Sequence, residues 1–340
     1  MQRDAAAVAA TDLDLLRVSG LSIAFRTGQG LLQATRDVCL TIARGERIGL
    51  VGESGCGKTI TGLSLMRLLP PGLADVRGDI SLEGKSIQSL SNRALRALRG
   101  RDIAMIFQEP MTALDPVFTI GEQIAETYRT HFPATKREAR DRALAMLADV
   151  GIPAPERRYD EYPHQLSGGM RQRVMIAMAL VCEPKLIIAD EPTTALDVTV
   201  QAQIIDLLRD LSMRTGTALV FITHDLGVVA EICTRVVTMY AGEVIEDGAV
   251  DDVLTRPRHP YTSGLLSSLP GLAERKSRLP SIPGRVPSPA HMPEGCRFRA
   301  RCSFAVAGCE AEQVLQEVSP EHLARCWRAP DLVLPGAVHA

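Results

Sequence analysis

Residues 52–59 read Gly52-Glu53-Ser54-Gly55-Cys56-Gly57-Lys58-Thr59, set between an apolar run at 48–51 and a helix-patterned run at 59–69. The form G-x-x-x-x-G-K-[ST] is a phosphate loop. Its glycines let the backbone curl so that successive N–H groups point inward, and the helix that follows offers its positive end to an anion. Lys58 then reaches the β and γ phosphates, and Thr59 supplies a hydroxyl to Mg²⁺. A Gly-rich turn with a surface lysine is the bland alternative, and the strand before and helix after it argue against that. The stretch predicts an α/β fold holding a nucleoside triphosphate against Gly52, Glu53, Ser54, Gly55, Cys56, Gly57, Lys58, Thr59 and Ile60.

Upstream, residues 15–50 alternate short apolar stretches with the turn residues Thr27-Gly28-Gln29-Gly30 and Arg44-Gly45-Glu46, which predicts antiparallel strands. Downstream, Pro70-Pro71-Gly72 ends the loop helix, residues 78–84 read as strand, and 90–99 as a basic helix. Between 115 and 163 the pattern becomes helical. Ile120, Ile124 and Tyr128 recur at helical spacing, and Thr135-Lys136-Arg137-Glu138 is a capping box before the stripe Ala139, Ala143, Met146, Val150. Gly151 and Pro153 stop that helix, so a helical insertion at about 110–165 is expected.

Residues 186–189 are continuously apolar, as a strand buried on both faces of a parallel sheet would be, and end in Asp190-Glu191. The C-terminal tips of such strands are where α/β sheets bind ligands. A second apolar strand at 218–222 delivers Thr223-His224-Asp225 to the same edge, and 236–248 reads as a hairpin turning at Ala241-Gly242. Asp190 is suited to hold Mg²⁺ and Glu191 to polarise an attacking water as general base, against the alternative that the pair merely caps a helix. His224 reads either as a satisfied strand-end histidine or as a γ-phosphate contact. Ser167 can cap the helix at about 170–180.

With 38 basic and 40 acidic side chains interspersed to a net charge of −2, nothing points to nucleic acid or an anionic lipid surface. Apolar runs such as 174–182 fall far short of the ~20 residues that span a bilayer, so a non-spanning chain is expected. Residues 1–16 carry Asp4, Asp12 and Asp14 and lack a signal-peptide core, which predicts a flexible leader in the cytosol. Prolines at 280, 283, 287, 289 and 293 mark a linker. The expected division is a flexible terminus (1–16), a nucleotide-binding domain (17–270), a linker (271–293) and a cysteine-rich segment (294–340). Of eight cysteines, Cys39, Cys56, Cys182 and Cys233 are scattered, whereas Cys296, Cys302, Cys309 and Cys326 fall together and invite a metal reading.

The phosphate loop, Gln108 in Phe107-Gln108-Glu109-Pro110, Leu166-Ser167-Gly168-Gly169-Met170, Asp190-Glu191, Ala195-Leu196-Asp197 and His224 stand in the order and spacing of ABC-type ATPase cassettes, which residues 15–270 resemble. Met170 departs from the commoner Gln. The resemblance implies a RecA-like core with an antiparallel β subdomain and a helical subdomain. It also implies catalytic roles for Lys58, Glu191 and His224, and Mg²⁺ held by Thr59, Gln108 and Asp190. Phe25 would lie against adenine, or else be a core phenylalanine. Ser167, Gly168, Gly169 and Asp197 would complete the ATP site of an opposite subunit.

Arg258-His259-Pro260-Tyr261-Thr262 and the cysteine-bearing tail extend the likeness to the ATP-binding subunits of oligopeptide and dipeptide importers. That resemblance implies a peripheral subunit on the cytoplasmic face of the inner membrane. Its partners would be a homologous second ATPase, two transmembrane permeases and an extracytoplasmic substrate-binding protein. Import of nickel or another small solute, and a soluble non-transport ABC ATPase, stay open. In that family the tail cysteines ligate a [4Fe–4S] cluster, so a small C-terminal metal-binding extension is expected on Cys296, Cys302, Cys309 and Cys326. Arg297, Arg299, Arg301 and Arg325 would offset the cluster's charge. Structural zinc and disulfides are the alternatives.

Overall fold

The computed structural model describes residues 14–28, 30–109, 113–194, 196–269 and 281–337. The leader up to residue 13, Pro110, Ala195 and the first part of the expected linker (270–280) lie outside the described residues. Strands β1 (Asp14–Thr27) and β2 (Gly30–Ala43) form an antiparallel pair, and β3 (Arg47–Val51) runs into the phosphate loop and helix α1 (Lys58–Leu65). Strands β4 (Ala74–Leu82) and β5 (Lys85–Ser86) close a four-stranded antiparallel sheet of order β2-β1-β4-β5, beside α2 (Asn92–Leu98).

Strand β6 (Ile103–Ile106) precedes a helical block: α3 (Ile120–His131), α4 (Lys136–Asp149), α5 (Pro155–Arg158) and α6 (Gly168–Leu180). The expected capping box is present in full, with the Thr135 hydroxyl accepting from Glu138 N and the Glu138 carboxylate accepting from Thr135 N. Then β7 (Leu186–Asp190), α7 (Val198–Thr215), β8 (Ala218–Thr223), α8 (Leu226–Ile232), β9 (Arg235–Tyr240) and β10 (Glu243–Ala249) follow. The hairpin between the last two turns at Ala241 and Gly242, both at positive φ, as a tight two-residue turn demands. Helices α9 (Val250–Thr255) and α10 (Pro260–Ser267), and strands β11 (Gln316–Ser319) and β12 (His322–Ala324), complete the described chain.

The second sheet has the order β11-β12-β10-β9-β3-β8-β7-β6, parallel from β9 to β6 and antiparallel beyond. Its parallel strands carry no polar alternation because both faces are covered. Along β7 and β8, Ile187, Ala189, Leu219 and Phe221 enter the core under the helical block. Their neighbours Leu186, Ile188, Val220 and Ile222 enter the core shared with β1, β2, β4 and α1. The cysteine segment does not stand apart: β12 pairs with β10 through Glu246↔Ala324 and Asp247↔Leu323, so the tail lengthens the nucleotide sheet. Among the described residues no helix is long and apolar enough to cross a membrane.

Candidate active site

The phosphate loop sits at the C-terminal tip of β3, between its parallel neighbours β9 and β8. Gly55 and Gly57 hold φ of +78° and +103°, and a Cβ at Gly52 would lie 2.2 Å from the Met239 carbonyl oxygen, so the loop's path requires glycine. Lys58 is buried, and its Nζ donates to the carbonyls of Gly52 (2.7 Å) and Glu53 (3.1 Å). Cys56 turns its thiol inward, where burial raises its pKa, so only its backbone can face a ligand. Ile60 is half-buried against the core.

On the neighbouring strand tips the acids gather. Thr59 Oγ1 donates to Asp190 Oδ1 at 3.0 Å. Burial raises the Asp190 pKa, the Thr59 hydroxyl opposes this, and the adjacent Glu191 charge adds to it. A buried carboxylate beside a second carboxylate and a hydroxyl is a donor set that a hard divalent cation stabilises, so these residues fit Mg²⁺.

Glu191 stands at φ +44°, a strained backbone for a residue with a Cβ, with its amide donating to Ile222 O. Its Oε2 accepts from Gln108 Nε2 (3.3 Å) and from Thr194 Oγ1 (2.9 Å), while Oε1 lies 3.5 Å from His224 Nδ1. Three residues separated by up to 116 positions in the chain, Gln108, Glu191 and His224, thus meet at one carboxylate. Thr194 joins them without having been anticipated, because a single threonine after a strand carries no pattern of its own.

Phe25 lies half-buried near the end of β1, packed against the core that includes Cys56. Ser167 caps α6, accepting from Met170 N at 3.4 Å, and Asp197 caps α7, accepting from Val200 N at 3.0 Å. The two caps adjoin: a Cβ at Gly169 would lie 2.8 Å from Val200 Cγ1. Among the described residues no hydrogen bond connects this second group, Ser167 to Gly169 with Asp197, to the acids around Glu191.

The cysteine segment corrects the expectation of a [4Fe–4S] or zinc site. Cys296, Cys302, Cys309 and Cys326 do line one cavity, but it is about 20 Å³, room for a water, and shares its walls with Phe298, Phe304, Trp327 and Leu332. Burial, reinforced by the neighbouring thiols, pushes Cys296 up to about 11 and raises Cys302 and Cys326. Among the described residues no three His, Cys, Asp or Glu side chains are arranged to hold a metal ion. The eight cysteines are all free. The arginines assigned to offset a cluster are engaged elsewhere. Arg297 pairs with Glu243 and donates to Ala241 O, Arg299 pairs with Glu310, Arg301 pairs with Glu53, and Arg325 donates to Val244 O.

Against known proteins, residues 35–194 match the model of the ABC transporter family, and residues 245–309 match that of the oligopeptide/dipeptide transporter C-terminal region. The chain is 52% identical over 322 residues to a probable peptide ABC transporter ATP-binding protein of Sinorhizobium fredii, covering 94% of this chain and 96% of that one. It is 51% identical over 328 residues to a putative peptide import ATP-binding protein of Brucella melitensis, covering 92% and 97%. Among solved structures, the dimeric post-hydrolysis state of an ATP-binding cassette bound to ADP and Pi shares 29% identity at a TM-score of 0.62, covering 69% of this chain and 98% of that one. The cbiO1 structure from Clostridium perfringens, part of an ABC transporter complex, shares 29% identity at a TM-score of 0.61, covering 71% and 90%.

Proposed function

Because this chain belongs to the ABC transporter family of ATP-binding proteins and carries the oligopeptide/dipeptide C-terminal region, we propose that it is the ATP-hydrolysing subunit of an importer moving di- and oligopeptides across the cytoplasmic membrane. The observation that carries the chemistry is the meeting of Gln108, Thr194 and His224 on Glu191, beside the Thr59–Asp190 pair.

Phosphoryl transfer to water needs charge compensation on the γ-phosphate and a positioned nucleophile. Lys58 supplies the first from within the loop. Glu191 supplies the second: Gln108 and Thr194 occupy Oε2, and Oε1, which His224 approaches only to 3.5 Å, takes a proton from the attacking water once that ring turns away. Thr59, Asp190 and Gln108 would hold Mg²⁺, which when bound would neutralise negative charge on the phosphates. His224 is 66% exposed at its side chain, which leaves its ring free to turn from Glu191 toward a γ-phosphate.

Phe25 stacks on adenine in this reading. Ser167, Gly168, Gly169 and Asp197 serve the nucleotide of a homologous second ATPase, and the adjoining caps at Ser167 and Asp197, which make them one group, support that assignment. Two transmembrane permeases and an extracytoplasmic binding protein complete the assembly, with this subunit peripheral on the cytoplasmic side and no nucleic acid involved. The division at about residues 270 and 294 belongs to the same proposal, as stretches of sequence of which the last folds onto the nucleotide sheet.

Reconstitution with both permeases, the second ATPase and the capture protein tests it. Glu191→Gln is expected to keep ATP binding and lose turnover roughly 10³-fold, the scale of a missing general base. Hydrolysis near the parent rate would remove Glu191 from the role. ATP turnover stimulated by nickel but not by peptide would replace the cargo.

A further inference from the structure

Glu53, the second residue of the phosphate loop, is held at three points, two of them by side chains that the proposed chemistry does not use. Its backbone N–H donates to the Tyr261 hydroxyl at 2.8 Å. Its carboxylate receives a fork from Arg301, Nη1 to Oε2 at 2.6 Å and Nη2 to Oε1 at 3.0 Å. Its carbonyl accepts from Lys58 Nζ and from Cys56 N. Both holding residues lie beyond the stretch that matches the ABC transporter model and within the peptide-transporter C-terminal region.

The Arg301 side chain is only 4% exposed and is itself anchored, with Nε donating to Pro283 O at 2.8 Å and Nη1 within 3.5 Å of the Tyr240 hydroxyl. Phe298 packs edge-on against Tyr240 and Tyr261, which are tilted against each other, with ring centroids 4.7 to 5.4 Å apart, and the guanidinium lies over Tyr240 and Phe298. The fork therefore joins a rigid aromatic cluster to the loop. A Glu53 carboxylate without its guanidinium would stand as an unpaired negative charge on the loop that must receive phosphates, and its peptide would be free to turn, taking the Lys58 acceptor with it.

We propose that Arg301 is a positioning residue for Lys58: acting through Glu53, and with Tyr261 fixing the same peptide, the C-terminal region sets the affinity of the phosphate loop for nucleotide. The proposal rests on the ATP reading of the site.

Equilibrium binding of labelled Mg·ATP to the full-length chain tests it. Arg301→Met is expected to raise Kd roughly tenfold, as loss of a charge-assisted fork beside a phosphate site would. Adding Glu53→Gln to Arg301→Met is expected to restore Kd to within about threefold of Glu53→Gln alone, because the unpaired charge is then gone. Arg301→Lys, which keeps the charge and loses the fork, and Tyr261→Phe, which removes one hydroxyl, fold with less disturbance and are each expected to raise Kd a few-fold. A tail that merely packs would lower Tm in these variants and leave Kd within about twofold of the parent, and that result, or a double variant as weak as Arg301→Met, overturns the proposal. If Lys58→Ala binds ATP as the parent does, the nucleotide reading falls and this proposal with it. If Lys58→Ala abolishes binding and the Arg301 and Tyr261 variants change nothing, only this proposal falls.

Discussion

The phosphate-loop region and the C-terminal region meet at Glu53 but are held together by different means. Residues 47–65 form a strand, a glycine loop and a helix, and the polar backbone groups are met by neighbouring strands or by the helix itself. Residues 281–337 contain two short strands and a few single turns, and reach their neighbours through buried guanidinium groups of Arg297, Arg301 and Arg325. A segment with little regular structure leaves carbonyls and charges to satisfy, and arginine, with five donors on a planar fork, satisfies several at once. The contrast teaches that the tail's polar side chains are structural ties to the ATPase sheet, whereas those of the loop are poised for a ligand.

That contrast can be broken or sharpened at three places. The largest effect is expected at the loop: Lys58→Ala should weaken Mg·ATP binding by about two orders of magnitude or more, since the loop's buried cation, proposed to meet the phosphates, is lost. Equilibrium dialysis measures it, and an unchanged Kd would make the loop as structural as the tail. Next, with burial pushing Cys296 up to about 11, its alkylation at pH 8 should run roughly a hundredfold slower than that of a free thiol, read by mass spectrometry of the labelled peptide. Rapid labelling, or stoichiometric metal in the purified chain, would restore a metal site to the tail.

The smallest effect concerns pH. His259 is fully buried, its Nδ1 accepts from Tyr261 N, and burial, aided by Arg325, pushes its pKa down to about 3. The folded state therefore keeps it neutral while the unfolded chain protonates it near 6.5, so the stability is full above that value and is lost as pH falls from about 6.5 toward 3. Between pH 6.5 and 5 this amounts to about 2 kcal/mol. Urea unfolding at the two pH values should show it, and His259→Asn, which keeps a cap acceptor, should flatten the difference. An equal acid loss in both proteins would show that the junction of α10 with the loop is not where acid acts.

Much of the nucleotide domain was legible from local pattern. The strand at 186–189, the capping box at Thr135 and the turn at Ala241-Gly242 each follow from the chemistry of adjacent residues, and each is found where expected. The acids, Gln108 and His224 were legible as a set, but their mutual hydrogen bonds were not, because Gln108 and Glu191 approach only when β6 and β7 pair. The tail misled for the same reason. Four cysteines in one short segment look like a ligand set on paper, yet their side chains close on a cavity the size of a water among aromatic rings. Three of the four arginines read as the cluster's counter-charges, Arg301, Arg297 and Arg325, reach instead to Glu53 and to the carbonyls of the hairpin turn and β10.

By itself, then, the order of residues determined the phosphate loop, the doubly covered strands and the identity of the acidic tip, since each depends on groups within a few positions of one another and on backbone stereochemistry alone. Only the tertiary structure decided that the tail joins the nucleotide sheet, that its four cysteines line one small cavity, and that Arg301 closes on Glu53 across 248 positions. A hydrogen-bond partner that distant is selected by which surfaces pack together, and packing is a property of the whole fold rather than of any stretch of chain.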